Sequence, residues 1–237
     1  MTGKTDSTPA TPPHEFDLEW GLHAIMRVVE EHNFQTVLDI GSGGGEHSRF
    51  FRHFGKDVYS INLAGNADYV GDFTQMKLER QFDVVWCSHV LEHQRNVGIF
   101  LEKVFAAVRD GGILAITVPC HPRERMIDGH LTSWNAGLLC YNLILAGFDC
   151  RDARVLQSYE LSLIVEKKPA LLALDGNLVA PVMTTPLETL AQFFPFPVKT
   201  TANAEVLDVK WGDRTYELPP AKFAGEIKIK SKHATLS

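Results

Sequence analysis

The chain's 237 residues suit one sizeable α/β domain, or one domain with an appendage, and its 45% hydrophobic content is ample for a core. A net charge of −6, with no block of consecutive Lys/Arg ahead of the lysine-containing C-terminal end, argues against a long phosphate-tracking surface and so against a nucleic-acid partner. Four widely spaced cysteines without a C-x-x-C pair, no apolar signal segment in residues 1–13, and no apolar run of about 18 residues or more point to a reducing, cytoplasmic setting, with no disulfide framework, thiolate zinc site or membrane association.

In chain order, a Thr/Pro-rich tail through Pro13 is expected to be disordered. Leu18, Gly21, Leu22, Ile25, Val28 and Val29 then share one helical face, which predicts a lid or packing helix over 17–32. Residues 36–40 are short, β-branched and apolar on both sides of Asp39, the pattern of a central parallel strand covered on both faces. The run breaks into Gly41-Ser42-Gly43-Gly44-Gly45, where alternate glycines permit positive φ and let a ligand approach the backbone without an intervening Cβ. Residues 46–54 have helical spacing through Phe50, Phe51 and Phe54 and stop at Gly55. A dinucleotide fingerprint is not met, because Glu46 stands where its third glycine belongs and would repel a pyrophosphate. No Gly-Lys-Ser/Thr follows to make a P-loop.

Strands are expected over 56–62, 67–70 and 82–87, the second closed by Gly71-Asp72. A helix over 96–109 turns at Asp110-Gly111-Gly112 into a strand over 113–118. Another helix, capped by Thr132 or Ser133, runs to Leu145, and strands near 150–156 and 159–165 close the sheet. This alternation predicts a doubly wound sheet. The composition shifts after Lys168. A short helix opening at Thr185-Pro186, a hairpin turning at Gly212-Asp213 between 205–211 and 214–218, and an Ile/Lys alternation over 222–232, either a tail or an edge strand, complete the chain. The expected division is a tail at 1–13, a domain at 14–168 and an appendage at 169–237.

Five pieces then stand in a fixed order: Val37-Leu38-Asp39-Ile40-Gly41-Ser42-Gly43-Gly44-Gly45, Gly71-Asp72-Phe73, the run from Phe82-Asp83-Val84-Val85 to Leu91-Glu92-His93, Leu101-Glu102-Lys103-Val104, and Asp110-Gly111-Gly112-Ile113-Leu114. With them, residues 36–168 resemble class I S-adenosylmethionine-dependent methyltransferases of the type 11 group, the broad set that includes ubiquinone-biosynthesis methyltransferases. The resemblance implies an α/β fold, a doubly wound Rossmann-like sheet of seven strands ending in an antiparallel hairpin, here followed by a small C-terminal α+β appendage. It also implies S-adenosyl-L-methionine at the carboxyl ends of strands one to four, with S-adenosyl-L-homocysteine as product.

In that frame Gly41, Gly43 and Gly45 offer backbone groups to the methionine end of the cofactor. Asp39 either attracts the ammonium or braces the loop without touching ligand. The family usually ends its second strand in an acid that accepts from both ribose hydroxyls, and this chain departs by having Asn62, which accepts one bond and donates another but lacks a carboxylate's charge-assisted strength. Asp72, with Phe73 beside it, matches the adenine-contacting position, the alternative being a turn cap after Gly71. Cys87, Ser88 and His89 fall where the fourth strand meets the cofactor and the acceptor cleft.

His89-Val90-Leu91-Glu92-His93 also spells H-x-x-E-H, the inverted zinc-protease pattern. That pattern needs one helix to set both histidines on a shared face, whereas here it begins at a strand end, so no metal ligands are assigned. Residues 119–130 form a polar loop at the ligand end of the sheet. An alcohol acceptor would need a base for its proton, and His121, His130 and His89 are the candidates, a solvated or hydrogen-bonded surface role being the alternative for the two loop histidines. Arg123 and Arg125 pair either with an anionic acceptor or with Glu124 and Asp128, and Trp134 suits either stacking on a sugar or packing of the next helix. Residues 129–142, running on to Ala146-Gly147-Phe148-Asp149, are similar to methyltransferases of glycan and lipopolysaccharide biosynthesis, which implies a saccharide hydroxyl. The expected function is therefore O-methylation of a small-molecule or saccharide acceptor, by a chain for which a homodimer is admissible. The alternatives are a methyltransferase acting on RNA or protein, and a non-catalytic cofactor-binding or partner subunit, which Asn62 keeps open.

Overall fold

Strand residues point alternately to opposite faces, so a strand that is apolar at every position must be covered on both. In β2 (Thr36–Ile40) this alternation sends Val37 into one core and Leu38 and Ile40 into the other, and in β5 (Phe82–Ser88) it does the same with Val84 and Trp86 against Val85 and Cys87. The structure, a computed structural model, describes residues 14–120, 126–168, 187–198 and 227–230. The remaining strands are β1 (His14–Asp17), β3 (Asp57–Asn62), β4 (Tyr69–Val70), β6 (Val108–Pro119), β7 (Arg154–Gln157), β8 (Glu160–Glu166) and β9 (Ile227–Lys230). Seven of them form one sheet in the order β4-β3-β2-β5-β6-β8-β7. The pairs from β4 to β6 are parallel, while β8 runs antiparallel to both β6 and β7, giving the expected terminal hairpin.

Helices α1 (Leu22–Glu31) and α2 (Glu46–His53) cover one face, with Leu22, Ile25, Phe50 and Phe51 packed on Val37, Val84 and Trp86. The other face carries α3 (Val97–Ala107) and α4 (Ala136–Leu145), through Phe100, Leu101, Val104, Leu139 and Leu143. Residues 187–198 begin with α5 (Leu187–Leu190) and bury Leu190, Phe193, Phe194 and Phe196 in this second core, so this part of the expected appendage is packed onto the domain. Because the chain leaves β2 toward β3 and later returns to β5 on the other side, the carboxyl ends of β2 and β5 flank a topological switch point, where open α/β sheets hold ligands. Among the described residues no helix is long and apolar enough to cross a membrane.

Three boundaries differ from expectation. Residues 14–17 form β1, paired in parallel with β9, and α1 starts only at Leu22; Leu18 is buried two positions after Phe16, in step with the strand, and coincides only by chance with the expected helical face. β6 begins at Val108 rather than 113, because Asp110-Gly111-Gly112 forms a bulge: the register on β5 jumps from Phe82 opposite Val108 to Val84 opposite Ile113. A Cβ on Gly112 would stand 2.8 Å from the Asp83 carbonyl oxygen, so only glycine fits there. The third difference is α4, which starts at Ala136 with Asn135 as its cap, the side-chain oxygen accepting the Leu138 N–H at 2.9 Å. The tail at 1–13 and the hairpin at 205–218 lie outside the described residues. Of the 222–232 stretch, residues 227–230 are the edge strand β9.

Candidate functional site

The switch point opens into a cleft of about 310 Å³. Its walls bring together Gly41, Asn62, Asp72, Phe73 and His89 from the sequence expectations, and add Leu63, Val90, His93, Gln94 and Phe100. The glycine loop is shaped by its own backbone. Gly41 (φ 73°) and Ser42 both donate to the Ile61 carbonyl oxygen, at 2.8 and 3.0 Å, which folds the loop onto the end of β3. A Cβ on Gly41 would lie 2.3 Å from Val90 Cγ2, so this glycine is needed for packing, whereas at Gly43, Gly44 and Gly45 an added Cβ would meet nothing within 4 Å. That open ground beside exposed backbone is the kind of surface a cofactor tail can occupy.

The polar residues divide between lining the cleft and building it. Asp39 is buried and accepts the Ser48 hydroxyl at 2.6 Å, an arrangement that ties β2 to α2 and matches the bracing reading. Burial pushes its carboxyl upward, against the pull of His47 and the Ser48 hydrogen bond. Asn62 lines the cleft, with its Oδ1 accepting the Leu63 N–H at 3.0 Å. Asp72 uses Oδ1 to cap the following turn, accepting the Thr74 N–H and hydroxyl, both at 2.8 Å, which is the turn-cap alternative. Phe73 is buried edge-on against Phe100 and forms an apolar wall.

Cys87 and Ser88 are set apart from the cleft. The Cys87 side chain enters the core on the α3 side, where burial holds its thiol well above the usual range, and Ser88 shares a 2.9 Å hydrogen bond with Thr117. The reason is the alternation of β5, which aims consecutive side chains into the two cores rather than at the ligand. Trp134 is buried in the core next to α4, as its packing alternative has it. His121, Arg123 and Arg125 lie outside the described residues.

His89 departs furthest from expectation. It sits at the end of β5 with φ 53°, an uncommon conformation for a side-chain-bearing residue, and its ring packs against Trp20 at 4.6 Å between centroids. Nε2–H donates to Glu160 Oε2 at 2.9 Å, and Nδ1 lies 3.3 Å from Glu92 Oε1. Burial disfavours the charged ring, but the two buried carboxylates prevail and raise its pKa to about 9. At neutral pH the two carboxylates thus favour the protonated ring, an electrostatic clamp at the wall of the cleft. Glu160, which the sequence reading passed over, also accepts the Gly21 N–H with both oxygens, at 2.9 and 3.1 Å. The available signal was an acid opening an otherwise buried strand.

The H-x-x-E-H run does not lie on one helix. After His89 the chain makes a single 3-10 turn, Leu91–His93, and the 126–132 loop folds onto it. Leu131 and Thr132 donate to the Glu92 carbonyl oxygen at 2.7 and 3.2 Å, and His93 Nδ1 bonds the Gly129 carbonyl oxygen at 2.8 Å. This places His130 edge-on to His93, with ring centroids 4.9 Å apart. The expected loop histidine thus reaches the rim of the cleft through His93.

A glycine loop after the central strand, a cleft at the switch point and a terminal antiparallel hairpin define the architecture of the class I methyltransferases. The chain belongs to the methyltransferase domain family, whose model matches residues 18–144. It is 24% identical over 110 residues to the malonyl-[acyl-carrier protein] O-methyltransferase of Salmonella typhimurium, covering 41% of this chain and 44% of that protein. It is 34% identical over 98 residues to the ubiquinone biosynthesis O-methyltransferase of Azorhizobium caulinodans, covering 34% and 39%. The chain thus spans less than half the length of these relatives. The fold is shared with the 1,6-didemethyltoxoflavin-N1-methyltransferase of Burkholderia thailandensis, solved with 1,6-didemethyltoxoflavin and S-adenosylhomocysteine, at a TM-score of 0.54 and 19% identity, covering 63% of this chain and 79% of that one.

Proposed function

We propose that this chain transfers the methyl group of S-adenosylmethionine to a hydroxyl oxygen of a small-molecule or saccharide acceptor. The observation that carries the reading is the shared cleft: Gly41, at the start of the glycine loop, lines the same space as Asn62, Phe73, His89 and His93, so cofactor and acceptor groups have a common meeting place. Two relatives that share its core sequence are named as O-methyltransferases, which favours oxygen as the accepting atom.

The residues present fit such a cofactor. The open side of Gly43 to Gly45 receives its methionine end, the Asn62 amide meets the ribose, and Phe73 backs the adenine. The bound cofactor supplies an electrophilic methyl on a sulfonium. The chain's own contribution is to fix the line of approach, and orientation of this kind accounts for most of the acceleration such a transfer needs. The protonated His89, clamped by Glu160 and Glu92, helps set the charge at the rim. The acceptor's proton passes to His130, to His121 or to solvent.

The test is a turnover assay with purified protein, labelled S-adenosylmethionine and a panel of free saccharides, nucleotide sugars, phenols and a malonyl thioester, with products identified by mass spectrometry. The reading predicts a methylated hydroxyl compound from this panel, and it fails if S-adenosylhomocysteine binds while no acceptor is methylated. That outcome would favour a cofactor-binding or partner subunit. One observation already leans that way: Asn62 Oδ1 is committed to Leu63 and Asp72 Oδ1 to Thr74, which thins the polar grip on ribose and adenine.

A further inference from the structure

We infer that Glu92, His93 and His130 form a binding site for a divalent transition-metal ion of the zinc class, beside the cleft. One donor atom from each of the three lies within 4.8 Å of the others, a separation that a central ion at ordinary ligand distances can span. Three further observations point to a cation.

Glu92 is fully buried; His89 Nδ1 lies 3.3 Å from its Oε1, but neither of its carboxylate oxygens has a hydrogen bond of acceptable geometry, and Oε2 faces no cation among the described residues. A buried carboxylate without hydrogen bonds is costly, and buried charges are ordinarily paired or bound to metal. His93 is already set in the tautomer a ligand needs. The Gly129 carbonyl can only accept, so Nδ1 carries a proton, and Nε2, 3.8 Å from Glu92 Oε1, is the nitrogen left to bind a cation. A lone pair facing a carboxylate oxygen is repulsive unless a proton or a metal ion lies between them. A ring N–H held by a backbone carbonyl is also the usual second contact of a metal-binding histidine. Finally, the loop on either side of His130 is fastened to this turn, by Gly129 to the His93 ring and by Leu131 N–H to the Glu92 carbonyl. A Cβ on Gly129 would come within 3.3 Å of His93 Nδ1, so glycine lets the loop approach this closely.

Two imidazoles and one carboxylate are a donor set that favours zinc and its neighbours over magnesium. Three protein ligands leave coordination positions for water or substrate, as in catalytic rather than structural sites. His89 Nδ1 lies beside the same carboxylate, and Glu160 holds its other nitrogen, so the ring helps fix Glu92 without joining the donor set. The grouping differs from the zinc-protease use of H-x-x-E-H, because His130 comes from a separate loop and Glu92 is a ligand instead of a base. The role of the ion rests on the function proposed above and narrows it: with His130 held as a ligand instead of acting as base, the ion polarises an acceptor hydroxyl, so that the oxygen releases its proton to solvent as the O–C bond forms, the C–S bond breaks and sulfur keeps the electron pair.

The experiment is calorimetric titration of chelator-stripped protein with zinc, manganese and magnesium chlorides, repeated on Glu92→Gln, His93→Ala and His130→Ala. Cobalt(II) absorption serves as a second readout of ligand type. The expected result is one equivalent of zinc, bound at least tenfold more weakly by each variant, with magnesium weakest of the three ions. Circular dichroism, and S-adenosylhomocysteine binding by His130→Ala, check that the fold is intact. No stoichiometric uptake by the wild type, or equal affinity in all variants, overturns the site. Zinc uptake without any methylated product would leave the site standing and remove the proposed function, whereas turnover in metal-free protein with no zinc uptake would remove the site and leave the function.

Discussion

Glu160 is the single residue on which the N-terminal segment and the cleft converge. Its buried carboxylate receives the Gly21 N–H at the start of α1 and the Nε2–H of His89 at the end of β5. Replacing it with Gln keeps the volume and removes the charge, leaving a cationic ring with half its compensation. Breaking a buried pair by neutralising one partner typically costs about 3–5 kcal/mol, and Glu160→Gln should fall in or just below that range by urea denaturation. A change of under roughly 0.5 kcal/mol, the size of an ordinary surface substitution, would mean that the clamp is not structural. Beyond the acid that opens an otherwise apolar strand, this was not legible beforehand, since the contact joins residues 71 apart in sequence. Asn62, Asp72 and Phe73 were legible because each follows a strand end that local patterning already located.

At the scale of elements, the strand, glycine loop and helix over 36–54 formed as the residue pattern predicted, because every requirement is local: apolar alternation, positive φ and an apolar helical stripe. Gly41 is the point at which this unit meets the next, through Val90. Gly41→Ala brings a Cβ into Val90 Cγ2 and forces a left-handed conformation, at an expected cost of about 2–4 kcal/mol from overpacking and backbone strain together. Val90→Ala in the same chain should recover part of this loss, and thermal unfolding of the two single variants and the double variant should therefore be non-additive. Additive losses would place the glycine's contribution elsewhere. Where the reading missed, at the starts of α1 and α4, tertiary contacts outranked local preference: 14–17 are taken into a strand by β9, and 128–132 are drawn back onto the Leu91–His93 turn.

For the whole molecule, alternating strands and helices sufficed to predict a doubly wound sheet, and the methyltransferase resemblance its seven strands and terminal hairpin, while the β1–β9 pair was not predicted, being a partnership between residues more than 200 positions apart. The end of the sheet opposite the cleft is held by Asp83, which accepts the Gln35 and Thr36 N–H groups at 2.9 and 2.8 Å and pairs with Arg109. Burial works against its charge, but Arg109 and the Thr36 and Gln35 amides hold its carboxyl well below the ordinary range. A depressed carboxyl pKa stabilises the fold above the unfolded-state value, near 4, and that stabilisation is lost as pH falls below it. Asp83→Asn should thus be clearly less stable than wild type at pH 7, with the gap narrowing toward pH 3 in urea midpoints; a gap independent of pH would show that charge is not what holds this end.

The account's central claim is that the cleft at the switch point holds S-adenosylmethionine through the glycine loop. The most direct measurement is calorimetric titration of wild type and Gly43→Val with S-adenosylhomocysteine. Gly43 has φ 52° and open space where a Cβ would be, so valine there both strains the loop and fills ground assigned to the cofactor. Micromolar binding by wild type, weakened at least tenfold in the variant, is the predicted result. No binding by wild type, or equal binding by both proteins, would contradict the account.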